Sequence, residues 1–398
     1  MAGALTSVYN NAAFALSTNA EVLARLQEQA ASGSRINRAS DDPSSAYRVL
    51  GLNSQKMNLS NYVDNLSEVI ASLDFSSTIF DSITAQLVET KTRLTQVASE
   101  TYDDATRERI AEGVNDMLEQ IVALANTKHM QQYLFGGGDT DSAPYTVERD
   151  ADGKIISVTY QGSLENRDIE VSGGLKMSAF HIGDEIFRAD DRGESEFVGG
   201  TTGAASGTGT SNVRGYVWLE VTQPGGQGNP YMLSIDGGLT TVQADGTENQ
   251  MVTDSRTGRV LYVDSRAISS TGTELVNNSG THDIFETMIT IRDIFQNERD
   301  LSRDQLQMMR DSAVESLDEM RNLLLQDSVS VGSKIEFLDN LKNGLEDIKL
   351  NTDDETTRIE QADIAQIAID ISRRQVLYQM SLAVVAKIMS MSLLDFIT

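Results

Sequence analysis

The chain has 398 residues, enough for two or three folded bodies rather than one core. Its 59 acidic residues outnumber 32 basic ones, a net charge of −27, so nucleic acid and anionic membranes are poor partners. Zero cysteines exclude disulfides, thiolate metal sites and cysteine nucleophiles, and three histidines leave little for metal or acid–base chemistry. No cofactor is expected.

Near the start, Leu5, Tyr9, Ala12, Leu16, Asn19, Leu23, Leu26 and Ala30 alternate steps of four and three. That spacing keeps one helix face against a partner helix, and only Asn19 interrupts it. Met1 to Asn10 carry neither a basic cluster nor a continuous apolar run, so a cleaved secretory signal is not expected. A polar break, Ser32 to Asp42, follows. Asp42 suits an N-cap and Pro43 the first helical position, where its missing N–H costs nothing. From Val49 a seam runs through Leu52, Lys56, Leu59, Val63, Leu66, Ile70, Leu73, Ser77, Phe80, Thr84, Leu87, Lys91, Leu94 and Ala98, a rod of roughly 75 Å. A third helix, with Ile110, Val114, Met117, Ile121 and Leu124 on its seam, is expected to continue until Phe135-Gly136-Gly137-Gly138 stops it.

From Pro144 to about Ser270, short alternating or β-branched runs are separated by Gly, Asn and Asp turns. Asp152-Gly153 between Tyr145–Arg149 and Lys154–Tyr160 predicts a hairpin with a primed turn. Another turn is expected at Arg256-Thr257-Gly258. Gly199 to Ser211, nearly all Gly, Thr, Ala and Ser, reads as a flexible loop or linker.

Helices then return. Asp283 with Glu286, Ser302 with Gln305, and Thr352 with Glu355 carry capping-box spacing and predict three helix starts. The last leads into a seam of Ile364, Ala368, Ile371, Gln375, Tyr378, Leu382, Val385, Met389 and Phe396. Lys387 and Asp395 interrupt the apolar character of Ser381–Thr398, so membrane insertion is not expected. The fold class is α+β: a long heptad-patterned helical rod, or coiled coil, built from both termini, with an inserted β-rich domain. Its divisions are 1–43 (assembly helix and linker), 44–143 (rod), 144–282 (β-insert), 283–352 (rod) and 353–398 (assembly helix).

No constellation supports an enzyme. Gly136-Gly137-Gly138 lacks the strand–loop–helix frame and lysine of a phosphate loop. Asp139 with Asp141, and Asp150 with Asp152, lack the glycine and distal glutamate of a calcium loop and read as turn chemistry. His282 and Glu286 suit a solvated helix start, and His129 and His181 have no companion ligands nearby in sequence. Trp218, the only tryptophan, reads as a β-domain core residue, with a carbohydrate- or surface-binding role as the alternative. Asn19 can fix register as a buried amide or face a polar groove. Leu393, Leu394 and Phe396 can pack in the core, anchor in a neighbouring subunit or form a chaperone-binding patch.

The segment Ser32-Gly33-Ser34-Arg35-Ile36-Asn37 followed by Ser40-Asp41-Asp42-Pro43, set between two heptad helices, resembles the amino-terminal signature of bacterial flagellins and their relatives. Arg107-Glu108-Arg109-Ile110 to Asn126-Thr127-Lys128 resembles the third amino-terminal helix of that superfamily, and Ile359 to Thr398, with Ala362-Asp363-Ile364-Ala365, its carboxyl-terminal helix. Phe135-Gly136-Gly137 leading to Pro144-Tyr145, Ser381 to Met389, and the ending Ser392 to Phe396 look like the hook–filament junction branch. Gly332 followed by Ser333, not Asn-Arg, departs from flagellin itself. The resemblance covers roughly residues 1–175 and 283–398. It implies a secreted, ring-forming homo-oligomer outside the cell, between an adjacent hook-associated protein and flagellin. It also implies an export chaperone and passage through the flagellar type III apparatus without a cleaved signal. On this reading the assembly interface comprises Leu5, Tyr9, Leu16, Asn19, Leu23, Leu26, Ile364, Ile371, Tyr378, Leu382, Val385, Met389, Leu393 and Phe396. Filament flagellin and a secreted adhesin displaying the β-domain are the alternatives.

Overall fold

The computed structural model of the chain describes residues 2–99, 104–297, 299 and 301–397, with side chains for all of these except 2–6, 8, 9, 97–99, 104 and 388–397. The helices are α1 (Ala2–Ser32), α2 (Pro43–Ser99), α3 (Asp104–Ala125), α4 (Gly183–Ile186), α5 (Ile284–Gln296), α6 (Arg303–Glu360) and α7 (Ile364–Ile397). They divide between two compact units, residues 1–64 with 341–398 and residues 65–340.

In the first unit, α2 starts at Pro43, with Asp42 accepting a hydrogen bond from the Ser45 amide at 3.1 Å. The predicted helix start at Thr352 is absent. Thr352 is buried inside α6, and its hydroxyl donates back to the Ile348 carbonyl at 2.8 Å, so capping-box spacing is spent within a continuing helix. The chain breaks only at Gln361 to Asp363. Asp363 then accepts from the Gln366 amide at 3.0 Å and opens α7.

In the second unit, Leu66, Leu73, Phe80, Leu87 and Leu94 of α2 are fully buried. The other half of the predicted stripe lies one residue away: Val69, Ser76, Ile83 and Thr90 are buried, whereas Ile70, Ser77, Thr84 and Lys91 are half-buried. Heptad spacing is kept, and the packing partners choose which flank of the stripe goes inside. Lys91 instead reaches Asp318 of α6 at 2.7 Å.

The third helix ends ten residues before the glycine run, at Ala125. Asn126 then brackets Tyr145, accepting from its amide and donating to its carbonyl at 2.9 Å each, which turns the chain out of the helix. A two-residue hairpin follows, β1 (Lys128–His129) with β2 (Gln132–Tyr133), its turn residues Met130 and Gln131 both at positive φ. Gly136 sits in the next turn, where a Cβ would lie 2.0 Å from the Asp139 carbonyl oxygen. The glycines thus serve a tight loop, not a helix end.

The predicted hairpin forms from β3 (Tyr145–Arg149) and β4 (Ile155–Tyr160). Its turn is not the type I′ turn that Asp-Gly favours, which needs two consecutive residues at positive φ: only Gly153 has one, and the Asp150 carboxylate closes the loop on the amides of Asp152 and Lys154. A second hairpin joins β5 (Asp168–Ser172) and β6 (Leu175–Ser178). Buried Arg292 of α5 ties these parts together, donating to Asn115 of α3 at 3.0 Å and to the Ile155 carbonyl.

The rest is a two-sheet sandwich whose strands are β7 (Ser195–Val198), β8 (Ala205–Ser206), β9 (Gly215–Thr222), β10 (Met232–Ser234), β11 (Val242–Gln243), β12 (Gln250–Thr253), β13 (Val260–Asp264) and β14 (Gly272–Asn278). One antiparallel sheet has the order β11-β10-β9-β14-β7 and the other β12-β13-β8. Leu219, Val221, Leu233 and Val276 of the first face Val252, Leu261 and Val263 of the second. The expected turn at Arg256-Thr257-Gly258 joins β12 to β13. Gly199 to Ser211 is not a free linker: it supplies β8 and buries Thr202, whose amide and hydroxyl both donate to the buried Glu274 carboxylate.

Candidate assembly interface

Both terminal helices belong to the first unit, and α1 packs along α7. The Ala362 amide donates to the Gly33 carbonyl at 3.0 Å, and farther along both helices Arg374 donates to Asn19 at 3.0 Å, so the pair runs antiparallel. On α1, Ala12, Leu16, Asn19, Leu23 and Leu26 are half-buried and Phe14 is exposed. On α7 the covered positions include Ile367, Ile371, Arg374, Tyr378, Ser381 and Val385, alternating steps of four and three, with Asp370 half-buried beside them.

The structure therefore brings Leu16, Asn19, Leu23 and Leu26 together with Ile371, Tyr378 and Val385. Ile364 and Leu382 are turned out, 49% and 44% exposed. The places of Ala368, Gln375 and Leu382 are taken by Ile367, Arg374 and Ser381, the same one-residue displacement of alternate positions as in α2. Here the cause is visible: Arg374 faces α1 to reach Asn19, which rotates Gln375 and Leu382 away. The side chains of Leu5, Tyr9, Met389, Leu393 and Phe396 lie outside the described residues. The face of α7 away from α1 carries an exposed, mostly apolar strip, with Ile369, Val376, Met380 and Val384 all more than half exposed and Arg373 among them.

The segment after α1 forms a clasp whose role periodicity alone does not reveal. Gly33 adopts φ +71°, a left-handed conformation that ends the helix at little cost for glycine. Ser34 bridges Gln361, and the Arg35 amide donates to the Glu360 carbonyl at 2.6 Å. The Arg35 guanidinium pairs with Asp42 at 3.1 Å and donates to the Ile359 carbonyl at 3.2 Å. The Ser45 hydroxyl and amide, then Arg35, hold the Asp42 carboxyl down at about 2. Asp41 accepts from the amides of Asn37 and Arg38. The breaks before α2 and before α7 are thus stitched together, with Arg48–Glu355 and Lys56–Asp353 pairs beyond them.

Among the described residues no helix is long and apolar enough to cross a membrane, and no group of three His, Cys, Asp or Glu side chains gathers as a metal site. His181 is enclosed by Phe80 and Phe135, and burial, then Lys334, lowers its pKa to about 4. His282 is not a solvated cap: it is buried, bonded to Asn277 at 2.8 Å and packed on Tyr216. The cap is Asp283, which accepts from the amides of Phe285 and Glu286.

Residues 6–140 match the family model described as the bacterial flagellin N-terminal helical region. The chain is 26% identical over 182 residues to flagellar hook-associated protein 3 of Escherichia coli, covering 46% of this chain and 54% of that protein. It is 24% identical over 166 residues to the Salmonella typhimurium protein of the same name, covering 42% and 50%. The chain matches about half the length of these relatives. Crystal structures of flagellar hook-associated protein 3 from Legionella pneumophila and FlgL from Xanthomonas campestris share the fold, each at 16% identity over 77% of this chain and 98% of theirs, with TM-scores of 0.51 and 0.50. With the flagellin amino-terminal region matched over α1 to α3 and this shared α+β fold, the chain is similar to the flagellin-like proteins in its helical amino-terminal part and in its architecture.

Proposed function

We propose that this chain is a structural, non-enzymatic subunit of the bacterial flagellum that joins hook to filament. The names and shared fold of its relatives support that reading over filament flagellin. The observation that carries it is the α1–α7 pair, two terminal helices closed on one side through Asn19 and Arg374 and mostly apolar on the other. An apolar strip of that kind is stable in water only when something covers it, and copies set side by side in a ring cover it repeatedly. In this reading Leu16, Asn19, Leu23, Leu26, Ile371, Tyr378 and Val385 hold the pair, and Ile364 and Leu382 face neighbouring copies. The heptad pattern of the sequence adds Leu5, Tyr9, Met389, Leu393 and Phe396 to the proposed interface.

The ring would sit outside the cell between an adjacent hook-associated protein and flagellin, after export by the flagellar apparatus with a chaperone. Ordering some thirty residues costs on the order of 1–2 kcal/mol each, which a half-buried seam does not offset. The outer helices therefore complete their folding on incorporation, and the second unit is the stable body. Deleting the gene tests the function: completed hooks, no attached filament and flagellin lost to the medium are expected. Normal filaments and swimming, with no redundant copy, would overturn it.

A further inference from the structure

Trp218 does not enter the sandwich core. Its neighbours Leu219 and Val221 do, while Tyr216, Trp218 and Glu220 alternate onto the opposite face of β9 and line a cavity of about 430 Å³. A second cavity of about 510 Å³ adjoins it, sharing Ser157, Val158, Arg214, Thr257, Arg259 and Glu286. In a chain of net charge −27, four arginines converge on the first cavity: Arg214, Arg256, Arg259 and Arg299. Among the described residues Arg256, Arg259 and Arg299 form no ion pair, and one nitrogen of Arg214, Nη1, is buried without a partner.

Most facing acids are occupied. Asp236 is held by Thr240 and Ser255, Asp254 by the Arg256 amide and Thr257, and Asp293 by Arg292. Glu286 and Glu220 remain, Glu286 within the field of Arg259, Arg188 and Arg214. Arg299 lies over the Trp218 ring, 4.2 Å from its centroid. A partly exposed cation–π contact is weak compared with a guanidinium–carboxylate fork, so an incoming carboxylate can draw Arg299 away and bare the ring. The cavity is too large for a small inorganic anion, and its remaining wall, Ile156, Val158 and Val217 with the Thr257 and Thr290 hydroxyls, is mixed.

We propose that this cleft binds an acidic saccharide, its carboxylate taken by Arg256, Arg259 and Arg299 and its ring laid on Trp218. An acidic peptide would satisfy the guanidiniums but offers no flat apolar face to the indole. The site is independent of the terminal helices and of the assembly reading.

The full chain, whose only tryptophan is Trp218, supplies its own reporter. Titration with trigalacturonate is expected to change its fluorescence saturably, with Kd below about 1 mM. Arg256→Gln with Arg299→Gln, and separately Arg259→Gln, weaken binding at least about tenfold while circular dichroism is unchanged; Arg256 is an exposed turn residue. A neutral galactose trimer binds at least about tenfold more weakly. No saturable change up to about 10 mM, equal binding of triglutamate, or unaltered binding by the arginine variants would overturn the proposal.

Discussion

The amide oxygen of Asn19 accepts a 3.0 Å hydrogen bond from the Arg374 guanidinium across 355 positions of sequence. It is a polar tie within a largely apolar seam, and it selects one register because sliding by a turn would part the two groups. Asn19→Leu is expected to cost about 1 kcal/mol, less than the roughly 1.5–3 kcal/mol of a hydrogen bond to a charged group because the site is half-exposed. Arg374→Ala should cost about the same, with a coupling of similar size in the double variant. Amide exchange over residues 10–30 and 366–385 reads the effect, and additive losses would remove Asn19 as a register device.

The clasp makes a sharper claim. Gly33→Ala forces a Cβ into a left-handed position and should cost about 1 kcal/mol, and Arg35→Ala removes the guanidinium that holds Asp42 and the Ile359 carbonyl. Both are expected to raise exchange at 33–42 and 359–363 while leaving α5 untouched. Because the folded-state pKa of Asp42 is lowered to about 2, its contribution is present above about pH 4 and lost as pH falls through 2. Asp42→Asn should flatten that acid limb.

If the proposed ring forms, the two faces of α7 separate folding from contacts between copies. Ile367→Ala removes a buried side chain and should loosen the unassembled pair by about 2 kcal/mol or more, whereas Ile364→Ala should leave it unchanged. Val376→Asp with Met380→Asp changes only exposed positions. Its unassembled chain should keep wild-type circular dichroism and lose the ability to support filament attachment. Filaments attached as in the wild type would mean that this strip is not covered by neighbours.

His181 gives a pH dependence with a definite sign. Burial keeps it neutral in the folded chain down to about pH 4, while the unfolded chain protonates it near 6.5, so stability falls as pH drops through that window and levels off below it. The upper bound is about 3 kcal/mol. His282, lowered to about 4 by burial, acts in the same direction. Asp327, raised to about 6 by burial, opposes them. The difference between wild type and His181→Phe isolates the effect, and urea melts at pH 7 and pH 4.5 should show the variant gaining relative stability in acid.

Helix periods, caps and hairpins were legible because they are local. The four–three spacing of Leu66, Leu73, Phe80 and Leu87, the Asp42-Pro43 start, the Asp283 and Ser302 caps and the β3–β4 hairpin each depend on residues within a turn or two of one another. Local signals misled where a nearby sequence satisfied two structures equally. Thr352 and Glu355 have cap spacing, yet helix propensity and burial carry α6 through them, and Asn126 ends α3 only because Tyr145 is there to be bracketed.

The amino-acid sequence by itself determined the α+β class, the heptad strips at both ends and the flagellin-like signature, because period and composition need no partner to be read. Tertiary structure alone decided which flank of each strip is covered, that Asn19 meets Arg374, and that Trp218 faces a cleft lined with arginines rather than the core. A stripe is wider than the line of contact. Which of its edges is buried depends on the shape and charge of the element across from it, and that element lies outside the strip's own sequence, tens of residues away for α2 against α3 and hundreds for α1 against α7.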